Sequence, residues 1–389
     1  MSVDMFEFHV LEDTRPKDRS LPAFMVSTTR GFLPRQEPLE KLPVEFEAVE
    51  SLLQRMPIKT LSGEPGLLAK FTFGETLDKE LPDLSDEVEK YRDDLVTMNA
   101  LYRDYSFLAS AYLFEPCHER FLRDEPYGLG RQKLPRSIAL PIVKIAEIAG
   151  FKPFMEYAGS YALFNYRLQD PDRGLEYDNL RLIRAFEHGL DPTSSEAGFV
   201  LVHIAMVKES GPLIKGTVDA LESCITKDRE RFDDGLRTVV EGLKNVNAVM
   251  NKILQDFRQY RPGNHREFLE AVRGCAEASG VKEFALANPI SAALYLQALN
   301  EVRDFRWRHW CFTREYILKR TAHPTATGGS PIVTWLPNQL QAVLEQMAYT
   351  AGYCKDVHGV DDIMETANNQ RETLRKEVAK YCGERGVAP

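Results

Sequence analysis

Residues 289–320 read PISAALYLQALNEVRDFRWRHWCFTREYILKR. Tyr295, Ala298, Val302, Phe305, His309, Phe312 and Tyr316 follow one another at alternating steps of three and four. That period places them on one face of a long helix, and an apolar face of this length predicts burial. The same reading extends outward. Helical spacing recurs in 137–148, 196–226, 228–258, 265–278, 337–353 and 360–382. The breakers GFKP, LQDPDRG, YRPGN, LANP and AHPTATGGSP separate these stretches. Toward the N-terminus, SDEVEKYRDDLVTMNALYRDYSFLASAYLF from Ser85 has a serine start and early acids, which predicts one helix ending before Pro116.

The first eighty or so residues differ, with proline-rich segments such as GFLPRQEPLEKLP and a single strand-like patch at 23–29. The linker PYGLGRQKLPRS suggests a boundary near residue 130, so a small irregular N-terminal domain (1–130) and a large all-helical domain (131–389) are expected. Two-residue alternation is scarce, which argues against a doubly wound sheet. The fold class is therefore mostly α.

The 389 residues are 43% hydrophobic and 28% charged, an ordinary globular balance. With 49 basic and 58 acidic side chains the net charge is −9. No basic block offers a footprint for nucleic acid or an anionic membrane, so neither partner is expected. The apolar run 198–207 is about half the ~20 residues a membrane span needs. MSVDMFEFHVLEDTRPKDR is acidic and has no apolar core, so no secretion signal and a cytoplasmic location are expected. The six cysteines are scattered without a CxxC pair and read as reduced thiols; no Cys/His cluster has zinc-ligand spacing. The oligomeric state is not fixed by the sequence, with a monomer favoured.

GxGxxG, GxxxxGK[ST], GxSxG and HExxH are all absent, which weakens nucleotide-fold, hydrolase and zinc-protease readings. Four groups remain. His309 is the one imidazole on its apolar face; the ordinary reading is a hydrogen-bonded core histidine, the sharper one an axial ligand to heme iron. Arg306, one turn earlier, suits a heme propionate, or else water. Phe199 and His203, four apart in GFVLVH, share a helix face. They read as a buried face with a tolerated histidine, or as a pocket in which phenyl packs on an aromatic substrate and imidazole hydrogen-bonds it. Tyr157 and Ser160 in YAGS, three apart, suit the same cavity or a plain core. Thr327, Gly328 and Gly329 form a loop that suits a lid or a simple connection.

These pieces occur in the order found in a known family. GFLPRQEPLEKLP, PRSIALPIVKIAEIAGFKPFMEYAGSYALFNYRLQDPD, GFVLVHIAMV, RQYRPGNHREFL, VKEFALAN and RHWCFTREYI resemble segments of the indoleamine 2,3-dioxygenases, heme proteins that insert O₂ across the indole 2,3 bond of tryptophan. The resemblance covers most of the chain. It implies an all-helical domain holding heme b, with His309 as iron ligand and Arg306 on a propionate. It implies a pocket of Tyr157, Ser160, Phe199, Val200 and His203, with Phe199 and His203 nearest the chemistry, closed over the substrate by Thr327 and Gly328. The partners implied are tryptophan or a related indole, and O₂. His203 stands where the mammalian enzymes have serine and resembles the histidine that tryptophan 2,3-dioxygenases place near the indole nitrogen.

Two departures matter. Phe199 and His309 are 110 residues apart, fewer than in the mammalian-type enzymes, and a GxSxxQ segment is missing. NHREFLEAVR at 264–273 aligns in two ways: in one, Arg273 is the substrate-carboxylate arginine; in the other the segment is the family's later PxxHRxFL block and that arginine is lost. The alternatives are a heme-dependent monooxygenase or N-oxygenase acting on another aromatic amino acid or indole, and a heme-binding helical protein without turnover.

Overall fold

The computed structural model describes residues 8–126, 128–188, 194–252, 263–319 and 332–388. It is mostly helical, with one two-stranded sheet among the described residues. Contacts divide the chain into two units, one of His9–Lys208 with the start of a later helix as far as Leu269, the other of the remaining helices from Glu209 onward.

In the first unit an irregular segment leads into α1 (Glu47–Arg55), α2 (Phe73–Glu80), α3 (Ser85–Glu89), α4 (Leu95–Leu122) and α5 (Arg136–Ala149). The expected strand at 23–29 makes only isolated bridges through Ser27; the true sheet pairs β1 (Tyr166–Leu168) antiparallel with β2 (Leu180–Leu182). Its loop is closed by Asn179, which donates to the carbonyls of Asp170 and Gly174. A turn of π-helix (Tyr157–Ala162) precedes the sheet, and α6 (Ser195–Lys208) comes after it.

The helix expected from Ser85 to Pro116 is two helices, and it does not stop at the proline. Asp94 starts α4 by accepting a hydrogen bond from the Thr97 amide at 3.1 Å. Val96–Ala109 is buried on every side, as for a helix at the centre of a core. Pro116 then sits inside α4. A proline leaves the carbonyl four residues earlier without its helical donor. That carbonyl, of Tyr112, accepts instead from the Arg131 guanidinium, and the Arg131 amide takes the carbonyl of Leu113 at 2.9 Å. Arg131 also pairs at 2.7 Å with Glu115, which is 3% exposed and accepts from the first amides of α2 at Phe73 and Gly74. The linker thus completes α4, and α5 packs back on α4. No boundary falls at 130, and the break between units comes at Lys208/Glu209 instead.

The second unit holds α7 (Ser210–Thr226), α8 (Arg229–Lys252), α9 (Gly263–Ser279, from Glu270), α10 (Val281–Leu286), α11 (Pro289–Phe312), a π-helical turn (Thr313–Leu318), α12 (Ile332–Ala351) and α13 (Val360–Arg385). α7 and α8 form a close hairpin: a Cβ at Gly216 would lie 2.6 Å from the Gly235 carbonyl oxygen. Asn288 caps α11 by accepting from the Ile290 and Ser291 amides. The stretch expected as one helix from 196 to 226 is interrupted at Glu209. By length and composition 195–226 is apolar enough to cross a membrane, but 56% of its most apolar window is buried within the protein, as in a core helix.

The face of α11 is displaced from the expected one. Ala292, Leu296, Arg303 and Trp310 are its deeply buried stripe, in one apolar cluster with α12 and α13 save for Arg303. Tyr295, Val302, Phe305 and Phe312 are only half-buried, and among the described side chains of the expected stripe His309 alone is buried. The reason is steric and polar together. Trp310 fills the α12–α13 side and its indole N–H donates to Glu377 at 2.6 Å, which fixes the rotation of the helix.

Arg131→Ala removes the partner of the Tyr112 carbonyl and of buried Glu115. The expected loss is about 1–3 kcal/mol of unfolding free energy in urea titration. An unchanged midpoint would show that Pro116 needs no rescue.

Candidate functional site

The first cluster is built on the π-helical turn. Gly150 ends α5 with φ +77°, a left-handed backbone that glycine adopts freely. The turn after it is pinned to α4: the Tyr102 hydroxyl donates to the Phe154 carbonyl at 2.5 Å, and its ring stacks on Phe151 at 4.4 Å. Phe151 in turn presses on Gly159, where a Cβ would come within 2.5 Å of the ring. The π-turn carries Tyr157 and Tyr161 toward α6, while Ser160 is buried in the core. Ser160 is fully buried, and its hydroxyl donates to the Glu156 carbonyl at 2.8 Å. It serves its own backbone.

α6 supplies the opposing side chains. Phe199 and Tyr157 meet edge to face at 6.0 Å, and Phe199 and His203 at 5.3 Å. Tyr157 lies edge to face with His203 at 6.0 Å and with Tyr161 at 5.6 Å. Val200, one residue on, is fully buried in the core beneath them. The first turn of α6 is held by Glu196, which is 7% exposed. Its carboxylate accepts from the amides of Phe186 and Glu187 and from the Tyr161 hydroxyl at 3.1 Å. Burial outweighs these bonds and raises its pKa. Burial also raises the Tyr157 and Tyr161 phenols, which stay protonated.

His203 is the group whose chemistry is most constrained. It is 8% exposed, and burial pushes its pKa down to about 3, against the opposing pull of the Phe199 carbonyl. The ring is neutral at physiological pH. Nδ1 lies 2.5 Å from the Phe199 carbonyl oxygen, which has no proton to offer, so Nδ1 carries the hydrogen. Nε2 is then a hydrogen-bond acceptor. The Tyr157 hydroxyl approaches Nδ1 at 3.4 Å and, with Nδ1 protonated, acts there as a second acceptor.

The second candidate group lies in the other unit. His309 is 6% exposed on the last turn of α11, and its carbonyl accepts from the Thr313 amide where the helix widens into the π-turn. Such widened turns recur at functional sites. His309 is buried about one turn from half-covered Phe305 and Phe312, a setting that would suit a large flat apolar group held through one imidazole. Among the described residues no three His, Cys, Asp or Glu side chains gather to hold a metal by themselves, and heme iron requires no such set. Arg306 is half-buried one turn earlier.

Arg273 departs from expectation. Its side chain is 82% exposed and pairs at 3.5 Å with Glu277, one turn on in the same helix. It is a solvated surface arginine, because α9 turns its apolar side, with Cys275, inward instead. Thr327 and Gly328 lie outside the described residues. Sequence reading overlooked Tyr161 and Glu196. The spacing from Tyr157 to Tyr161 carried a signal for the first, whereas Glu196 looked like an ordinary acid at a helix start.

A family profile described as Indoleamine 2,3-dioxygenase matches residues 20–256, which include Tyr157, Phe199 and His203 and end before His309. Human Indoleamine 2,3-dioxygenase 2 is 25% identical over 60% of this chain and 51% of its own length. Indoleamine 2,3-dioxygenase acdA of Aspergillus candidus is 24% identical over 76% of this chain and 87% of its own length. Indoleamine 2,3-dioxygenase qulI of Penicillium citrinum is 25% identical over 62% of this chain and 50% of its own. The chain thus spans about half the length of the human protein it matches.

The low pKa of His203 has a thermodynamic sign. The unfolded ring titrates near ~6.5 and the folded one near 3, so between these values the unfolded state binds more protons. Its contribution to stability is complete above about pH 6.5 and declines as the pH falls toward 3, with a slope of up to about 1.4 kcal/mol per pH unit. Replacing it as His203→Asn is expected to flatten the acid limb of unfolding free energy against pH. An NMR titration showing His203 protonating near neutrality would contradict the assignment.

Proposed function

Because the chain belongs to the indoleamine 2,3-dioxygenase family, we propose that it is a heme-dependent dioxygenase that opens the 2,3 bond of tryptophan or a related indole to give an N-formylkynurenine-type product. The observation carrying this reading is the packed trio of half-buried Tyr157 and Phe199 with buried His203, whose neutral imidazole presents an acceptor nitrogen. An indole is flat, apolar and bears one N–H. Phe199 packs its ring, Tyr157 borders it edge-on, and His203 Nε2 accepts its N–H. An aromatic wall of this kind keeps water from the reacting carbons.

His309 is the residue that would hold the heme iron, and Arg306 would pair with a propionate. When bound, the heme supplies the redox-active iron that activates O₂ toward the indole ring. The protein's own part is to bind and orient. None of its side chains has to take a proton from carbon, and the depressed pKa of His203 agrees with an acceptor that is not a base.

A second reading is favoured by the exposure of Arg273. With its carboxylate partner at the surface, the pocket takes an indole or another aromatic amino acid held differently, in a one-oxygen insertion such as monooxygenation or N-oxygenation. Product mass separates the two: a dioxygenase adds two oxygen atoms of one O₂ and a monooxygenase one.

Two measurements test the proposal. Hemin added to the purified protein is expected to give a sharp Soret band that shifts on reduction and on CO binding, and His309→Ala to lose or alter it. Absence of specific uptake by the wild type would remove both readings. In the heme-loaded protein, Phe199→Ala is expected to raise KM for tryptophan by roughly 10-fold or more, the loss of about 1.5–3 kcal/mol of aromatic burial. An unchanged KM would dismiss the pocket.

A further inference from the structure

Glu196 does more than begin a helix. Each of its carboxylate oxygens is in use: Oε1 accepts from the Phe186 amide at 2.9 Å and the Tyr161 hydroxyl at 3.1 Å, and Oε2 from the Phe186 amide at 2.9 Å and the Glu187 amide at 2.8 Å. These donors come from the π-turn and from the segment leaving β2, while the acceptor belongs to α6. On α6, Glu196 lies three residues before Phe199 and seven before His203, one face of the helix. On the π-turn, Tyr161 lies against Tyr157 at 5.6 Å and is stacked on Phe186 at 6.0 Å with the rings 24° apart. One buried carboxylate thus joins the two elements that present the aromatic trio to each other.

We propose that Glu196 is the positioning residue of the substrate pocket, acting through the Tyr161 hydroxyl to hold Tyr157 against Phe199. The inference rests on the reading that Tyr157, Phe199 and His203 receive the aromatic ring. Neither Glu196 nor Tyr161 is asked to touch the substrate. The alternative is an N-terminal anchor of α6 that matters to stability alone. The two differ in what they predict for affinity well below the melting temperature, because misplacing packed rings by a fraction of an ångström weakens binding while the fold persists.

The test uses the full chain loaded with heme, carrying Tyr161→Phe, Glu196→Gln or both, with tryptophan as substrate and thermal melting in parallel. Tyr161→Phe removes only one oxygen and keeps the ring, so it serves where Glu196→Gln fails to fold. Each single variant is expected to raise KM about 3- to 10-fold with less change in kcat, and the double variant to be no worse than the more damaged single, since both remove the same Tyr161–Glu196 bond. Hydrogen exchange on the protein without substrate is expected to speed up together in 157–168 and 195–203 in Tyr161→Phe. A lowered melting temperature with unchanged KM, additive KM effects, or faster exchange in only one of the two segments would each overturn the proposal. Phe199→Ala keeps its failure distinct from that of the pocket. If Phe199→Ala raises KM and these variants do not, only the positioning role falls; if Phe199→Ala is also silent, the pocket itself is wrong.

Discussion

Asp104 is fully buried, and the arrangement of the first unit depends on what it needs. A carboxylate in a core is tolerated only when paired and hydrogen-bonded. Arg103 and Arg184 both reach it, Arg184 with two bonds of 2.9 and 2.7 Å. Burial alone would raise the Asp104 pKa, but these two guanidinium groups outweigh it and hold it low. Arg184 continues to Glu50 on α1 at 2.7 Å, which balances two cations with two anions inside the core. The segment after β2 is thereby placed against α4 and α1. Asn165 fixes it further, accepting from the Arg184 amide at 2.7 Å and donating to the Arg184 carbonyl at 2.9 Å. Two residues on, the Phe186 and Glu187 amides meet Glu196. The direction of α6, and with it Phe199 and His203, is thus set by a charge pair that lies outside the pocket.

Both candidate groups stand at π-helical turns, Tyr157–Ala162 and Thr313–Leu318. A π-turn inserts an extra residue per turn, which rotates the downstream residues and loosens the backbone ladder. At the first, the rotation turns Tyr157 and Tyr161 toward α6 while Gly159 admits the Phe151 ring. At the second, the widening begins four residues after His309, whose carbonyl remains satisfied by Thr313. In each case the irregular turn is supported by neighbours that are themselves tightly held, Tyr102 for one and Trp310 for the other. Strain of this sort persists only where surrounding contacts determine it.

Much of the fold was legible because helices advertise themselves locally. Spacing and capping residues predicted α5, α12 and α13 to within a few residues at most ends. The misreadings share a cause, namely that a long-range partner decides the outcome. Pro116 fails to stop α4 because Arg131, from beyond the helix, takes the freed carbonyl. Pro337 lies inside α12 in the same way, and the carbonyl of Val333, four residues earlier, faces the Cys382 thiol of α13 at 3.9 Å. The rotation of α11 was misjudged because periodicity counts apolar residues alike, whereas the Trp310–Glu377 bond selects one orientation. The short sheet was invisible, since three-residue strands around LQDPDRG carry no pattern of their own. At the candidate site, type and spacing singled out Phe199, His203 and Tyr157, whose rings pack together. The exposure of Arg273 was beyond reach, as the same residues fit two alignments.

The choice of histidine at 203 can be understood from what its helix already provides. In α6 the carbonyl of Phe199 is one turn below, so an imidazole there finds a built-in acceptor for Nδ1–H. That bond fixes the tautomer and makes Nε2 the acceptor nitrogen of the ring. A serine in the same place would satisfy its own proton on the same carbonyl, as Ser160 does on Glu156. It would then offer only a shorter, more distant lone pair. An imidazole that is kept neutral by burial extends the acceptor further from the backbone and does so at any physiological pH. An acceptor that does not titrate selects substrates bearing a donor, and penalises those that leave it unpaired by about 1–3 kcal/mol. Under the proposed function, selectivity for a ring N–H would arise from one backbone carbonyl and the burial around it.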